Sequence, residues 1–200
     1  MEICRTAVEL NKEVIDNIQI TSQEHMILKS MEKFYMDNAN INFFMNITSS
    51  FAQVSIRLID YFVTKYSKIY KISYKYNDDV INVFSSYKQQ LKAYQKKHFD
   101  PFSRGERIPY FMGDICVITT IGQLNFFRWF ISKNILDYIV KHQHTIECDM
   151  NQKNKVDKKI TKVGKDRKKK YKSVIVSSKP TYSNDIKQCL KTNNIVVSFN

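Results

Sequence analysis

At 200 residues with 43% hydrophobic content, the chain is long enough for one domain with a real core plus an extension, and hardly for two full domains. Four cysteines (Cys4, Cys116, Cys148, Cys189) show no CxxC spacing, which argues against a disulfide framework and for free thiols in a reducing compartment. The formal net charge of +13 is uneven: from Lys153 to Lys172 eleven Lys/Arg face only Asp157 and Asp166, a net of +9.

No run approaches eighteen apolar residues, so no membrane-spanning helix is expected. Met1-Glu2-Ile3-Cys4-Arg5 lacks the basic-then-apolar pattern of a signal peptide. The Asn46-Ile47-Thr48 sequon then reads as chance. Four glycines among abundant Asn, Ile, Lys and Tyr look like translation of an AT-rich genome.

In chain order, Val8, Val14, Ile15 and Ile18 fit a weakly amphipathic helix. Thr21-Ser22-Gln23-Glu24 is a capping box, followed by Ile27, Met31, Phe34 and Tyr35 on one face, with Asp37-Asn38 ending the segment. Residues 1–40 therefore read as an N-terminal helical extension. Ile47, Phe51, Val54, Leu58, Phe62, Tyr66 and Ile69 recur at steps of three and four and predict one long helix. Asp78 or Asp79 is expected to cap the next, in which Val80, Phe84, Tyr87, Leu91 and Tyr94 form the seam and Lys88, Lys92 and Lys96 lie off it. Two such helices joined by a short polar turn should pack antiparallel. Their tyrosines read as core before stacking platform.

Phe99-Asp100-Pro101-Phe102-Ser103-Arg104-Gly105-Glu106-Arg107-Ile108-Pro109 carries two of the three prolines and forces a turn. Residues 107–111 and 115–119 predict two strands around Met112-Gly113-Asp114. Thr120 with Gln123 reads as a second capping box, opening a helix whose buried face is Leu124, Phe127, Ile131, Ile135 and Tyr138. This helix is expected to fray near His142. Residues 41–148 make the main helical domain, residues 149–172 a basic disordered linker, and 173–200 a short β-rich segment built on Ser173–Ser177 and Ile195–Phe199. The fold class is thus α+β, mainly α: a helical domain with a small β-hairpin, the basic linker and the β-rich terminus.

The linker is the strongest partner signal. Lys153, Lys155, Lys158, Lys159, Lys162, Lys165, Arg167, Lys168, Lys169, Lys170 and Lys172 gain affinity for a polyphosphate by counterion release, and Lys165–Lys170 has the look of a nuclear import signal. The plain alternative is a solvated tether. Arg104, Arg107 and Arg128 form a second candidate if the hairpin folds back on the following helix, where they would meet a phosphate or carboxylate. Against this, Asp100, Glu106 and Asp114 are placed to pair with them and hold the turn. A helix, hairpin and helix faintly suggest a winged-helix reader, but the exposed face after Thr120 is poor in base-reading residues. His142, His144 and Cys148 lack the second pair of a zinc spacing, and no metal or cofactor is expected. No Gly-rich phosphate loop, nucleophile elbow or distinctive carboxylate pair is present, so the reading is non-enzymatic.

Asp60–Ser67, Tyr87–Tyr94, Phe99–Pro109 and Thr119–Trp129, with the basic linker and terminal Ile195–Phe199, resemble an uncharacterised protein family of the nucleocytoplasmic large DNA viruses, of giant-virus and iridovirus type. The resemblance runs from about residue 45 to the end. It implies a protein of infected-cell cytoplasm, nucleus or virion, and it brings no catalytic residues. The expectation is a non-catalytic viral protein bound to DNA, RNA or another polyanion, with no membrane. The alternative is a virion structural or assembly protein in which Phe99–Trp129 is a protein interface.

Overall fold

The computed structural model describes residues 6–49 and 52–156. The chain divides into two units, Met1–Gln152 and Lys153–Asn200. The first is mainly helical with two small antiparallel hairpins. The strands expected in 173–200 and most of the basic linker lie outside the described residues.

Side-chain caps set the helix starts. In α1 (Ala7–Asn17) and α2 (Ser22–Glu32) the threonine before the helix and the glutamate three residues on satisfy each other's amides, Thr6 with Glu9 and Thr21 with Glu24. A single 3₁₀ turn, Phe34–Met36, leads to Asp37, which accepts from the Ala39 amide and opens α3 (Asn38–Thr48). The residue expected to end a helix therefore starts one. Ile27, Leu28, Met31 and Tyr35, in the segment expected to be an extension, are buried in the main core.

The long helix expected from Ile47 to Ile69 is two. α3 stops at Thr48, and Ser55 caps α4 (Ile56–Tyr61), its hydroxyl accepting from the Leu58 amide. Ser side chains offer the backbone a local partner and so favour a restart, while Val54, buried at 2% exposure, carries the apolar rhythm across the break. One wide π turn, Phe62–Tyr66, follows before α5 (Ser67–Ile69), with the Ser67 amide donating to the Phe62 carbonyl. The extra residue brings Phe62, Val63, Tyr66 and Ser67 all inside.

A hairpin replaces the expected short turn. β1 (Ser73–Tyr76) pairs with β2 (Asp79–Asn82) around Asn77 and Asp78, whose φ of 47° and 63° suit a two-residue primed turn. Neither Asp78 nor Asp79 is a cap: Asn82 is, accepting from the Ser85 amide at the start of α6 (Val83–Tyr94). Val80, counted in the helical seam, is 68% exposed on β2. The seam proper is Val83, Tyr87, Leu91 and Tyr94.

After a 3₁₀ turn at Lys96–His98, β3 (Ile108–Met112) and β4 (Ile115–Thr119) form the hairpin expected around Gly113, which turns at φ 58°. Its β3 edge is covered by α1. The buried Asn11 amide donates to the Phe111 carbonyl (2.8 Å) and accepts from the Phe111 amide (2.7 Å), standing in for one residue of a third strand. The expected helix from Leu124 to Tyr138 is interrupted by Asn134 at φ 49°, giving α7 (Ile121–Ser132) and α8 (Ile135–Lys141). Beyond His142 the chain does not fray: residues 143–156 form a further helix, α9. Residues 149–156, expected within a disordered linker, are therefore helical, held by Asp149 accepting from the Tyr61 (2.5 Å) and Tyr70 (2.9 Å) hydroxyls.

The core forms around α7. Nine of its twelve residues are buried, including Leu124, Phe126, Phe127, Trp129 and Phe130, as befits a helix walled in on nearly every side.

Candidate functional site

The two stretches that stand out in the sequence are one assembly. α7 docks by its N-terminal turn onto residues 97–101, and Gly122 permits it: a Cβ there would sit 2.8 Å from the Lys97 carbonyl oxygen. The Asp100 amide donates to the Gly122 carbonyl (3.2 Å) and the buried Asn125 donates to the His98 carbonyl (3.0 Å). Thr120 caps the helix as expected, accepting from the Gln123 amide. The Gln123 side chain does not complete a box, however, because it reaches Thr119 Oγ1 and the Pro101 carbonyl instead. Phe99 closes the joint against Phe126, Trp129, Tyr87 and Tyr94. Phe99 at 1% and Trp129 at 5% exposure are part of the core.

Beside the joint lies a charge cluster that sequence reasoning missed. Glu24 of α2 is 8% exposed and accepts from Lys97 Nζ and lies 2.9 Å from His98 Nε2, while its other oxygen accepts from the Thr21 amide. Burial alone would raise its pKa, but the Thr21 amide, Lys97 and His98 outweigh that and hold it down at about 2. The arrangement fastens α2 to the α6–α7 connection. Glu24 announces itself only as half of a capping box; its second role needs tertiary contacts.

The three arginines do not share a partner. Arg104 makes a two-pronged bridge to Asp100 (2.9 and 2.7 Å) and lies over the Phe102 ring, its side chain 60% exposed. Arg104 is thus paired with Asp100 at the surface. Arg107 is exposed just before β3. Arg128 donates from its two terminal nitrogens to Ser30 O and Oγ, Tyr94 Oη and Asn125 Oδ1, tying α2, α6 and α7 together. Its two terminal nitrogens are thus engaged by four neutral acceptors.

Of the tract, Lys153 and Lys155 are in the last turn of α9; Lys158 to Lys172 lie outside the described residues. Among the described residues no three of His, Cys, Asp and Glu are grouped to hold a metal. His144 Nε2 and Cys148 Sγ approach to 3.7 Å one turn apart, while His142 packs on Tyr138. Cys116 and Cys148 are free and exposed. No described helix is long and apolar enough to cross a membrane.

A family model described as a family of unknown function, DUF7197, matches residues 6–199. The chain belongs to that family. Its relatives include Uncharacterized protein L507 of Acanthamoeba polyphaga mimivirus, 35% identical over 154 residues. The match covers 72% of this chain and 60% of the mimivirus protein, so the chain spans less than two thirds of that relative's length. The giant-virus family expected from the sequence is thereby met, while the DUF7197 description brings no reaction or ligand. No solved structure matches.

Proposed function

We propose that this DUF7197 member is a non-catalytic viral protein that associates with nucleic acid, in replication, transcription or genome packaging, chiefly through the lysine-rich tract. The observation that carries this is charge density: net +9 in the twenty residues from Lys153 to Lys172. Such a tract binds a polyphosphate by releasing its condensed counterions and needs no folded geometry. Sequence preference is therefore low, and affinity falls with roughly five to eight powers of salt concentration. The test is binding of DNA and RNA at two salt concentrations, by the full chain and by a version with the Lys/Arg of 153–172 replaced by Ser. Salt-steep binding that weakens sharply in the variant supports the reading. A wild-type chain that binds neither polymer overturns it.

One observation favours a second reading, a virion structural or assembly protein. Within the hairpin, α1 occupies the β3 edge, whereas β4 presents an edge unpaired among the described residues, with Ile118 at 61% and Ile115 at 43% exposure. An open edge with apolar flanks accepts a strand from another chain. Salt-insensitive self-association or capsid-protein binding, lost when Ile118 becomes Lys, would favour it.

A further inference from the structure

The tract does not hold all of the excess charge. Residues 61–99 contain eight lysines against Asp78 and Asp79, a net of +6, and all eight lysines are exposed. Residues 1–60 carry a net of −3, so part of this charge is cancelled in the total and hidden by it.

The fold gathers several of these lysines into a line. Lys68, in α5, places its Nζ 5.7 Å from the centre of the Phe84 ring at the start of α6. Phe84, Lys88 and Lys92 follow at four-residue steps and so share a face of α6, and Lys96 stands in the turn just beyond. α6 also packs against the π turn Phe62–Tyr66 and against α5, so Lys68 stands beside the start of the α6 face that carries Lys88 and Lys92. The twelve-residue α6 is about 18 Å long at ~1.5 Å per residue. Along the axis of a duplex each strand presents a phosphate every ~3.4 Å, so the line spans about five base pairs.

We infer that the seam where the π turn and α5 meet α6, through Lys68, Lys88, Lys92 and Lys96, is a second phosphate-tracking surface for nucleic acid, built into the folded unit. It rests on the nucleic-acid reading of the tract and adds to it. Of the other exposed positions on α6, Ser85 and Gln89 are polar and Ala93 is small. A helix lying in a lipid interface presents an exposed apolar face opposite its lysines, whereas Val83, Tyr87, Leu91 and Tyr94 of α6 pack into the core, so the polyphosphate backbone is the better fit.

The experiment compares three versions of the whole chain: wild type, the quadruple variant Lys68→Gln/Lys88→Gln/Lys92→Gln/Lys96→Gln, and a charge-matched control with Lys12, Lys29, Lys33 and Lys141 changed to Gln. All eight positions are exposed, and circular dichroism checks folding. A fluorescent 20-base-pair duplex is titrated from low to moderate salt. The inference expects the salt slope to fall by about three to four in the seam variant, at ~0.9 for each phosphate no longer neutralised, and by less than one in the control. A seam variant that keeps the wild-type slope overturns the inference and leaves the tract reading intact. Equal losses in seam variant and control also overturn it, since net charge alone would then account for both. If anionic phosphatidylserine vesicles are bound in a seam-dependent way and the duplex is not, the surface belongs to membrane and the inference is wrong. Absence of binding by wild type to this duplex and to an RNA of the same length overturns both readings together.

Discussion

Glu24 shows how much can rest on one residue. It completes a capping box on α2 and, from the same carboxylate, anchors Lys97 and His98 beside the α7 joint. Its pKa falls from 4.5 to about 2 on folding. A depressed carboxyl contributes stability that is fully present above pH 4.5 and is lost as pH falls through 2. Glu24→Gln should cost about 2 kcal/mol at pH 7, since it leaves His98 and part of Lys97 without their charged partner. For a domain of this size that lowers Tm by roughly 4–8 °C. Thermal melts from about pH 7 to about pH 2 provide the check: the gap between variant and wild type should hold down to about pH 5 and close toward pH 2. A gap that stays constant over that range would mean the carboxylate's shape matters and its charge does not.

Elements are held by equally local devices, and these differ in how well the sequence displays them. Thr21, Thr120 and the Gly113 turn are visible because hydroxyl caps and a left-handed glycine act within four residues of chain. The hairpin at residues 73–82 also has its signal, since Asn77-Asp78 between alternating Tyr and Lys suits a primed turn. The helical spacing of Val80 to Phe84 hides it, because a strand residue can fall at a helical interval from the next helix by coincidence. The break after Thr48 is hidden in the same way by Val54, which is buried without being helical. The candidate site is legible as two unusual stretches, Phe99–Pro109 and Thr119–Trp129. Their meaning is not, because whether an arginine is free or spent depends on groups such as Ser30 and Tyr94, 98 and 34 residues away. Asn11 is the least legible of all. A polar side chain in an amphipathic helix reads as surface, yet it closes a sheet edge 100 residues on. Asn11→Ala should cost about 1–3 kcal/mol by stranding both Phe111 backbone groups, and should speed exchange of the Phe111 amide hydrogen far more than that of amides in α8. Unchanged exchange at Phe111 would show that the edge is closed by something other than Asn11.

For the whole molecule the distribution of charge says more than its sum. The first sixty residues are acidic overall, residues 61–99 are strongly basic, residues 101–152 balance, and the tract from Lys153 to Lys172 is the most basic of all. A nucleic acid bound by counterion release settles where positive charge is densest, and charges beyond a Debye length of about 8 Å at physiological salt contribute little. Photo-cross-linking to a uniformly 5-iododeoxyuridine-substituted strand, read by mass spectrometry, should therefore give adducts in two separate groups of peptides, one from residues 65–104 and one from 153–172. Peptides from residues 6–49 should be almost free of them, although they contain Phe34, Phe43 and Tyr35, side chains as photoreactive as those elsewhere. Raising salt should deplete both groups together, because each depends on the same ion release. Adducts confined to 153–172 would leave the tract as the sole contact. Adducts concentrated in 6–49 would mean that chemistry other than charge chooses the surface, and the polyphosphate reading would give way to recognition of bases or of a specific fold.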